Sequence, residues 1–376
     1  MTRLRALGWD HPRCRGPMLA CSSVWRSHHG VEIEWEFRSL EAFGDQPLAD
    51  ATAGFDLAVI DHPFCGEAES TGSLHALDDI LDPATLVALE ADAVGPSHTS
   101  YTFHGKQWAL ATDAACQVSA LREDAVRWDA RPGTWDEALE LARSLAGRVA
   151  LPLAPAHAIS SFLSICGALG STPCGANGLV DQDVGLAALE LLGELYALGP
   201  REASRWEPPD VLARLTSGDG LAYVPLTYGY VTYARADSVP RPCRFVDAPG
   251  GRGAVLGGAG LAVCATARDR AAAAAFAAWA SGADAQRAVV APAGGQPASR
   301  AAWLDPELDA QAGRFYSGTF RTIESAWVRP RGPWWPPFQL AAGRLLTEAL
   351  ERGSPPPATL DRLEGLHGEL RGRSLS

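Results

Sequence analysis

The sequence predicts an α/β protein of two lobes, each assembled from separate stretches of one chain. Three observations lead there. Strand-like and helix-like segments alternate from the first residues onward, the pattern of βαβ units around a largely parallel sheet. The chain has 376 residues, enough for two cores. It leaves the first region near Thr112 and comes back through a glycine-rich stretch near Gly253. Side-by-side crossings of that kind are the usual recipe for a hinge.

Leu4–Trp9 reads as the first strand and Met18–His28 as a helix. Val31–Phe37, VEIEWEF, alternates apolar and polar residues, so it is a half-buried strand. Leu40–Thr52 is a helix, Phe55–Asp61 an apolar central strand, and Asp78–Val94 helical with Pro83 inside it. His104–Ala114, HGKQWALATDA, predicts a hairpin that turns the chain out along a new strand. Thr134–Leu145, TWDEALELARSL, opens an amphipathic helix, with Thr134 as N-cap and Glu137 completing a capping box. Further helices are expected at Ala156–Gly170, Asp183–Leu198 and Pro209–Leu215, with strands at Leu221–Val224, Tyr228–Arg235 and from Phe245. Gly250–Gly260 holds six glycines in eleven residues and precedes a strand rather than a phosphate-binding helix, so it reads as hinge. The last third is helical, interrupted by the rigid aromatic stretch Pro330–Pro337.

Composition narrows the function. The net charge is −12 and no basic cluster offsets it, which argues against nucleic acid and anionic membrane surfaces. No apolar run reaches the length of a spanning helix. The start, MTRLRALGWDHP, lacks the apolar core of a signal peptide. Eight cysteines lie scattered, with no C-x-x-C pair and no zinc-site spacing. Both features lead to the expectation of a cytoplasmic protein without disulfides. The chain shows no G-x-S-x-G, Walker loop, H-E-x-x-H or dinucleotide fingerprint, so no cofactor and no metal are assigned.

Several segments in order carry a family likeness. They are HGKQWALATDA, then TWDEALELARSL, then LARLTSGDGLAYVPLTYGY (Leu212–Tyr230), then the strand–helix return Gly257–Asp305. Together they resemble the family 1 extracellular solute-binding proteins, the maltose-binding-like receptors of ABC importers. The resemblance implies a type II periplasmic binding-protein fold. It implies one lobe of residues 1–110 and 256–304, another of 115–250 and 305–376, and a hinge near 111–114 and 251–255. It further implies a small-molecule ligand, carbohydrate-like or another polar or acidic metabolite, held in the cleft between lobes. The partners expected are that ligand and an ABC permease or another protein, with no nucleic acid and no membrane insertion, in a monomer. The alternative is an intracellular enzyme built on the same fold.

Two strand ends share the sequence Asp-His-Pro: Asp10-His11-Pro12 and Asp61-His62-Pro63. In an open α/β sheet ligands sit beyond the carboxyl ends of strands, so both pairs are candidates. Three roles stay open: turn capping and packing, polar recognition of a ligand, or acid–base and metal chemistry. A catalytic dyad would join Asp10 to His62, or Asp61 to His11, since neighbours on a strand point to opposite faces. Trp9, Phe64, Tyr223, Tyr228, Trp334 and Trp335 are candidate aromatic platforms for a sugar or acyl group. Thr112 and Asp113 stand at the first crossover, and Thr227 and Gly257–Gly258 offer hydroxyl or backbone donors. Arg329 and Arg331 read as solvated.

Overall fold

The computed structural model describes residues 2–127, 129, 131–175, 178–218 and 220–373. The chain divides into two compact units. Unit 1 comprises Met1–Ala115, Gly257–Ala310 and Arg329–Pro333; unit 2 comprises Cys116–Leu256, Gln311–Val328 and Trp334–Ser376.

Unit 1 begins with β1 (Arg3–Trp9) and α1 (Pro12–His29). The helix starts six residues before the expected Met18, because Pro12 occupies its first turn, where a missing N–H costs nothing. β2 (Glu32–Arg38) returns parallel to β1, in register from Arg3↔Glu32 to Trp9↔Arg38. The helix expected over Leu40–Thr52 is two short ones, α2 (Leu40–Asp45) and α3 (Leu48–Thr52), parted at Pro47. β3 (Leu57–Ile60) is wholly buried and lies parallel to β1 on its other side. α4 (Cys65–Thr71) follows, and α5 (Pro83–Ala91) starts where Asp82 caps it, not at Asp78. The hairpin forms as β4 (Thr102–Phe103) and β5 (Lys106–Gln107), turning through His104 and Gly105 at φ of 46° and 75°. β6 (Leu110–Leu121) is a buried strand of 12 residues; its first half belongs to unit 1 and its second to unit 2.

In unit 2 come α6 (Trp135–Ser144), α7 (Pro155–Ala168), α8 (Gln182–Leu198) and α9 (Pro208–Ser217), then β7 (Tyr223–Tyr228) and β8 (Arg244–Val246). The capping box on α6 is present in both directions. β7 and β8 pair antiparallel with opposite edges of β6: Ala120 faces Val224 on one side and Phe245 on the other. No edge of β6 is left there for the strand expected at Tyr228–Arg235, and that segment instead carries a short 3-10 turn at Val231–Tyr233.

β9 (Leu256–Val263) leads back into unit 1 antiparallel to β3, from Leu57↔Val263 to Ile60↔Gly260. The sheet order there is β2-β1-β3-β9-β6. α10 (Arg270–Ser281), α11 (Ala283–Ala285), a π-helical turn at Gln286–Val290, α12 (Arg300–Trp303) and α13 (Pro306–Gln311) follow. α14 (Phe315–Glu324) is in unit 2, as are α15 (Trp335–Arg352) and α16 (Pro356–Arg373). The expected boundaries placed all of 305–376 in the second lobe. Residues 305–310 and Arg329–Pro333 fall in unit 1, where Arg329 meets Asp61 and Arg331 donates to the Thr99 carbonyl.

Candidate functional site

The carboxyl ends of β1 and β3 carry the two Asp-His-Pro sequences. The β1–β3 register, Ala6↔Leu57 and Leu7↔Ala58, when extended, sets Asp10 level with Asp61. Identical sequence does not give identical structure at the two ends.

At the first, His11 is the N-cap of α1 and its Nδ1 accepts the Arg13 backbone N–H at 3.1 Å. Its ring stacks on Trp9 at 5.3 Å between centroids. Burial, with Arg13 nearby, drives the imidazole pKa down to about 3, consistent with a ring that accepts through Nδ1. Asp10 points outward and pairs with Arg15 at 3.0 Å, an exposed contact of little energetic value.

At the second end, Asp61 caps the 3-10 turn His62–Phe64 by accepting the His62 N–H at 2.9 Å. Both Asp61 oxygens also accept from Arg329 Nη2 at 2.8 Å. Burial alone would raise this carboxyl, but Arg329 and His62 hold it down at about 2. Arg329 was expected in solvent and is 4 % exposed. His62 corrects a second expectation. Its ring has no solvent exposure, stands edge-on to Tyr101, and has no hydrogen-bond partner at either nitrogen among the described residues. Nδ1 lies 3.3 Å from Asp61 Oδ1. The two neighbours approach because Asp61–His62 opens a turn, where strand alternation no longer applies. Burial, then Arg329, lowers the His62 pKa to about 4. Phe64 is likewise buried. Both dyads expected of an enzyme are replaced by Asp10–Arg15 and Asp61–Arg329 pairs.

Trp9, Thr112 and Asp113 come together in unit 1, as the walls of one narrow pocket shared with Arg13, Cys14 and Gln296. Arg13 is the residue that sequence reasoning missed. Its side chain is buried, and Nε donates to Asp113 Oδ2 at 2.7 Å while Nη2 donates to Oδ1. Burial outweighs this partner and raises the Asp113 carboxyl above its ordinary range. The signal was its place two residues after a capping histidine, on the buried side of α1. Thr112 donates to the Ala259 carbonyl at 3.3 Å. Gly258 sits at φ +114°, and a Cβ there would lie 2.4 Å from the Asp113 carbonyl oxygen. Its role is close strand approach.

Unit 2 separates its candidates. Tyr223 is fully buried beside Ser119, burial raising its pKa. Thr227 has no exposure. Trp335 lies in the unit 2 core and donates to Gln339. These three are interior residues, a correction of their expected ligand contact. Trp334 packs on its own unit against Trp335, Phe338 and His367. Tyr228, at the end of β7, is partly buried with its ring edge-on to His157. Among the described residues no group of three or more His, Cys, Asp or Glu could hold a metal ion.

Comparison with solved structures identifies this architecture. Maltose-bound MalE3 of T. maritima superposes with a TM-score of 0.81 at 19% identity, over 99% of each chain. An ABC transporter solute-binding protein of Agrobacterium radiobacter K84, in complex with ribitol, gives 0.81 at 20% identity over 98% of each chain. Another from Agrobacterium vitis S4, with bound D-mannitol, gives 0.80 at 18% identity over 100% of this chain and 99% of that one. The fold is therefore the α/β fold of the periplasmic solute-binding proteins. The sequence itself matches the model for bacterial extracellular solute-binding proteins over residues 27–315, and the chain belongs to that family. It is, by family, a bacterial solute-binding protein. No curated protein matches it in sequence.

Proposed function

We propose that the solute is an uncharged sugar or polyol. The observation that carries this reading is internal neutralisation at the strand ends of unit 1. Arg13 is held by Asp113 and Arg329 by Asp61, while burial keeps His11 and His62 unprotonated near neutral pH. An acidic solute needs a cation that is not already saturated by a carboxylate. Charge-assisted donors and acceptors held in place, beside the indole of Trp9, suit hydroxyl groups and a sugar face. The maltose, ribitol and D-mannitol bound by the structural relatives agree with it. Trp9, Asp10, His11, Asp61, Thr112 and Asp113 in unit 1, and Tyr228 and Trp334 in unit 2, are the proposed contacts.

Calorimetric titration of the purified chain with ribitol, D-mannitol, maltose and D-gluconate tests the reading. At least one neutral compound should bind with Kd of about 10 μM or tighter, near −7 kcal/mol. Gluconate binding more tightly than every neutral compound would overturn it. We further propose that the loaded form docks on an ABC permease, and that the two units turn about the crossings in β6 and β9. The family is described as extracellular, and no helix among the described residues is long and apolar enough to cross a membrane. Cell fractionation decides between the location that docking on a permease needs, outside the cytoplasm, and the cytoplasmic one expected from the sequence.

A further inference from the structure

Arg13 and Asp113 carry opposite charges and line the same cavity of unit 1. The cavity measures about 10 Å³, room for a single water-sized group. Apart from the pair its walls are largely apolar, among them Pro17, Met18, Val59 and Val290. The Asp113 side chain is 11% exposed and that of Arg13 4%. The carboxylate is thus the more accessible half of the pair.

The geometry fixes the charge state. A guanidinium donates and never accepts. Arg13 Nε donates to Asp113 Oδ2 at 2.7 Å, and Nη2 donates to Oδ1. Both oxygens accept, which is the two-pronged contact of an ionised carboxylate. Burial favours the neutral acid, and Arg13 opposes it. Asp61 lies close enough to act on Asp113 as well, and is itself neutralised by Arg329. Each Asp113 oxygen keeps acceptor capacity beyond its bond to Arg13. The slot therefore offers a fixed acceptor whose charge is already cancelled.

We infer that this slot takes one hydroxyl of the solute on Asp113, and that Arg13 is the positioning residue that makes it choose a hydroxyl over an ammonium. The two groups are close in size, so shape does not separate them. Charge does. A lone buried carboxylate would attract an ammonium strongly between apolar walls. Beside Arg13 that attraction is cancelled, and the ammonium would shed its water without compensation. The inference rests on the sugar or polyol reading. It adds to that reading the exclusion of cationic solutes and assigns it to one residue.

The test uses the full chain and the tightest-binding neutral member of the panel above. Two sets of derivatives change one hydroxyl at a time, either to an ammonium or to a methyl ether. Parent, Arg13→Met and Asp113→Asn are compared by calorimetry near neutral pH, with melting temperature as the control for folding. In the parent, the ammonium derivative at one position should bind about 10-fold or more weakly than the neutral solute. The methyl ether at that same position should also lose about 10-fold, because the slot holds one water-sized group. Methionine keeps much of the bulk of Arg13 and removes its charge. Arg13→Met should therefore shrink the penalty on that ammonium about 10-fold, or invert it. Asparagine keeps the shape of Asp113 and leaves Arg13 unpaired, so Asp113→Asn should enlarge the penalty. This second variant decides the matter if Arg13→Met fails to fold.

A purely structural role for the pair would weaken all derivatives alike and leave their ratios in place. If the ratio of neutral to ammonium binding is the same in the parent and every folded variant, the assignment is overturned while the polyol reading stands. The same follows if no single position rejects both the ammonium and the methyl ether. If the parent binds no neutral member of the panel, the polyol reading falls and takes this slot with it.

Discussion

Asp61 does two things with one carboxylate: it caps the turn at His62 and neutralises Arg329. Replacing it therefore removes more than a turn cap. An uncompensated buried guanidinium typically costs about 3–5 kcal/mol, whereas replacing both partners of a buried pair by apolar groups is often neutral. Asp61→Leu should lower the melting temperature sharply, and Asp61→Leu with Arg329→Met should recover most of it. A double variant no more stable than the single one would remove the ion pair from the account. His62 supplies a pH signature. Its folded pKa, about 4, lies below an unfolded value of about 6.5. Below pH 6.5 the unfolded chain binds a proton that the folded chain refuses, so stability is fully present above pH 6.5 and drains away toward pH 4. His62→Gln should flatten this slope in urea denaturation series from pH 7 to pH 4. An unchanged slope would mean that other groups carry the acid sensitivity.

Local rules hold well for some elements and fail for others, and the difference lies in what decides each one. The capping box of α6 is a contact within four residues: Glu137 accepts the Thr134 N–H at 3.0 Å, and the Glu137 N–H returns to Thr134 Oγ1. Nothing distant is needed, and the spacing in the sequence names it. Thr134→Ala should cost about 1 kcal/mol, read as a lower denaturant midpoint without a change in slope. The segment Tyr228–Arg235 is the contrary case. Its composition favours a strand, but β7 and β8 already occupy the two edges of β6 at Ala120. Whether a segment becomes a strand depends on a free neighbour, which propensity does not describe.

At the scale of the whole molecule the chain passes between its units five times: within β6 at Ala115–Cys116, within β9 at Leu256–Gly257, and at Ala310–Gln311, Val328–Arg329 and Pro333–Trp334. On the unit 1 side Gln286 and Gln296 donate to the backbone of β6, at Thr112 and Ala114. On the unit 2 side Gln117 bonds Ser161 and Ser164, and Ser164 accepts the Val255 N–H. Each unit thus holds its own part of these strands. If the proposed hinge operates, small-angle scattering at saturation with the tightest neutral solute should give a smaller radius of gyration than the free chain. No change at saturation, with the free form shown to be open, would sink the hinge.

The family and the α/β class were legible in the sequence. Trp9, Thr112 and Asp113 do share one pocket, and the order of motifs pointed to the solute-binding proteins. Such features rest on local spacing and on the rule that strand ends present residues to a ligand. The tertiary structure alone decided which charge meets which. Arg13 finds Asp113 one hundred residues away and Arg329 finds Asp61 across 268, and the sequence carries no spacing rule for such pairs. It also decided that two identical Asp-His-Pro sequences part ways. One histidine caps a long helix and stacks on an indole; the other sinks into the interior beneath an ion pair. Burial is set by what packs on top of a residue, and that comes from the rest of the chain.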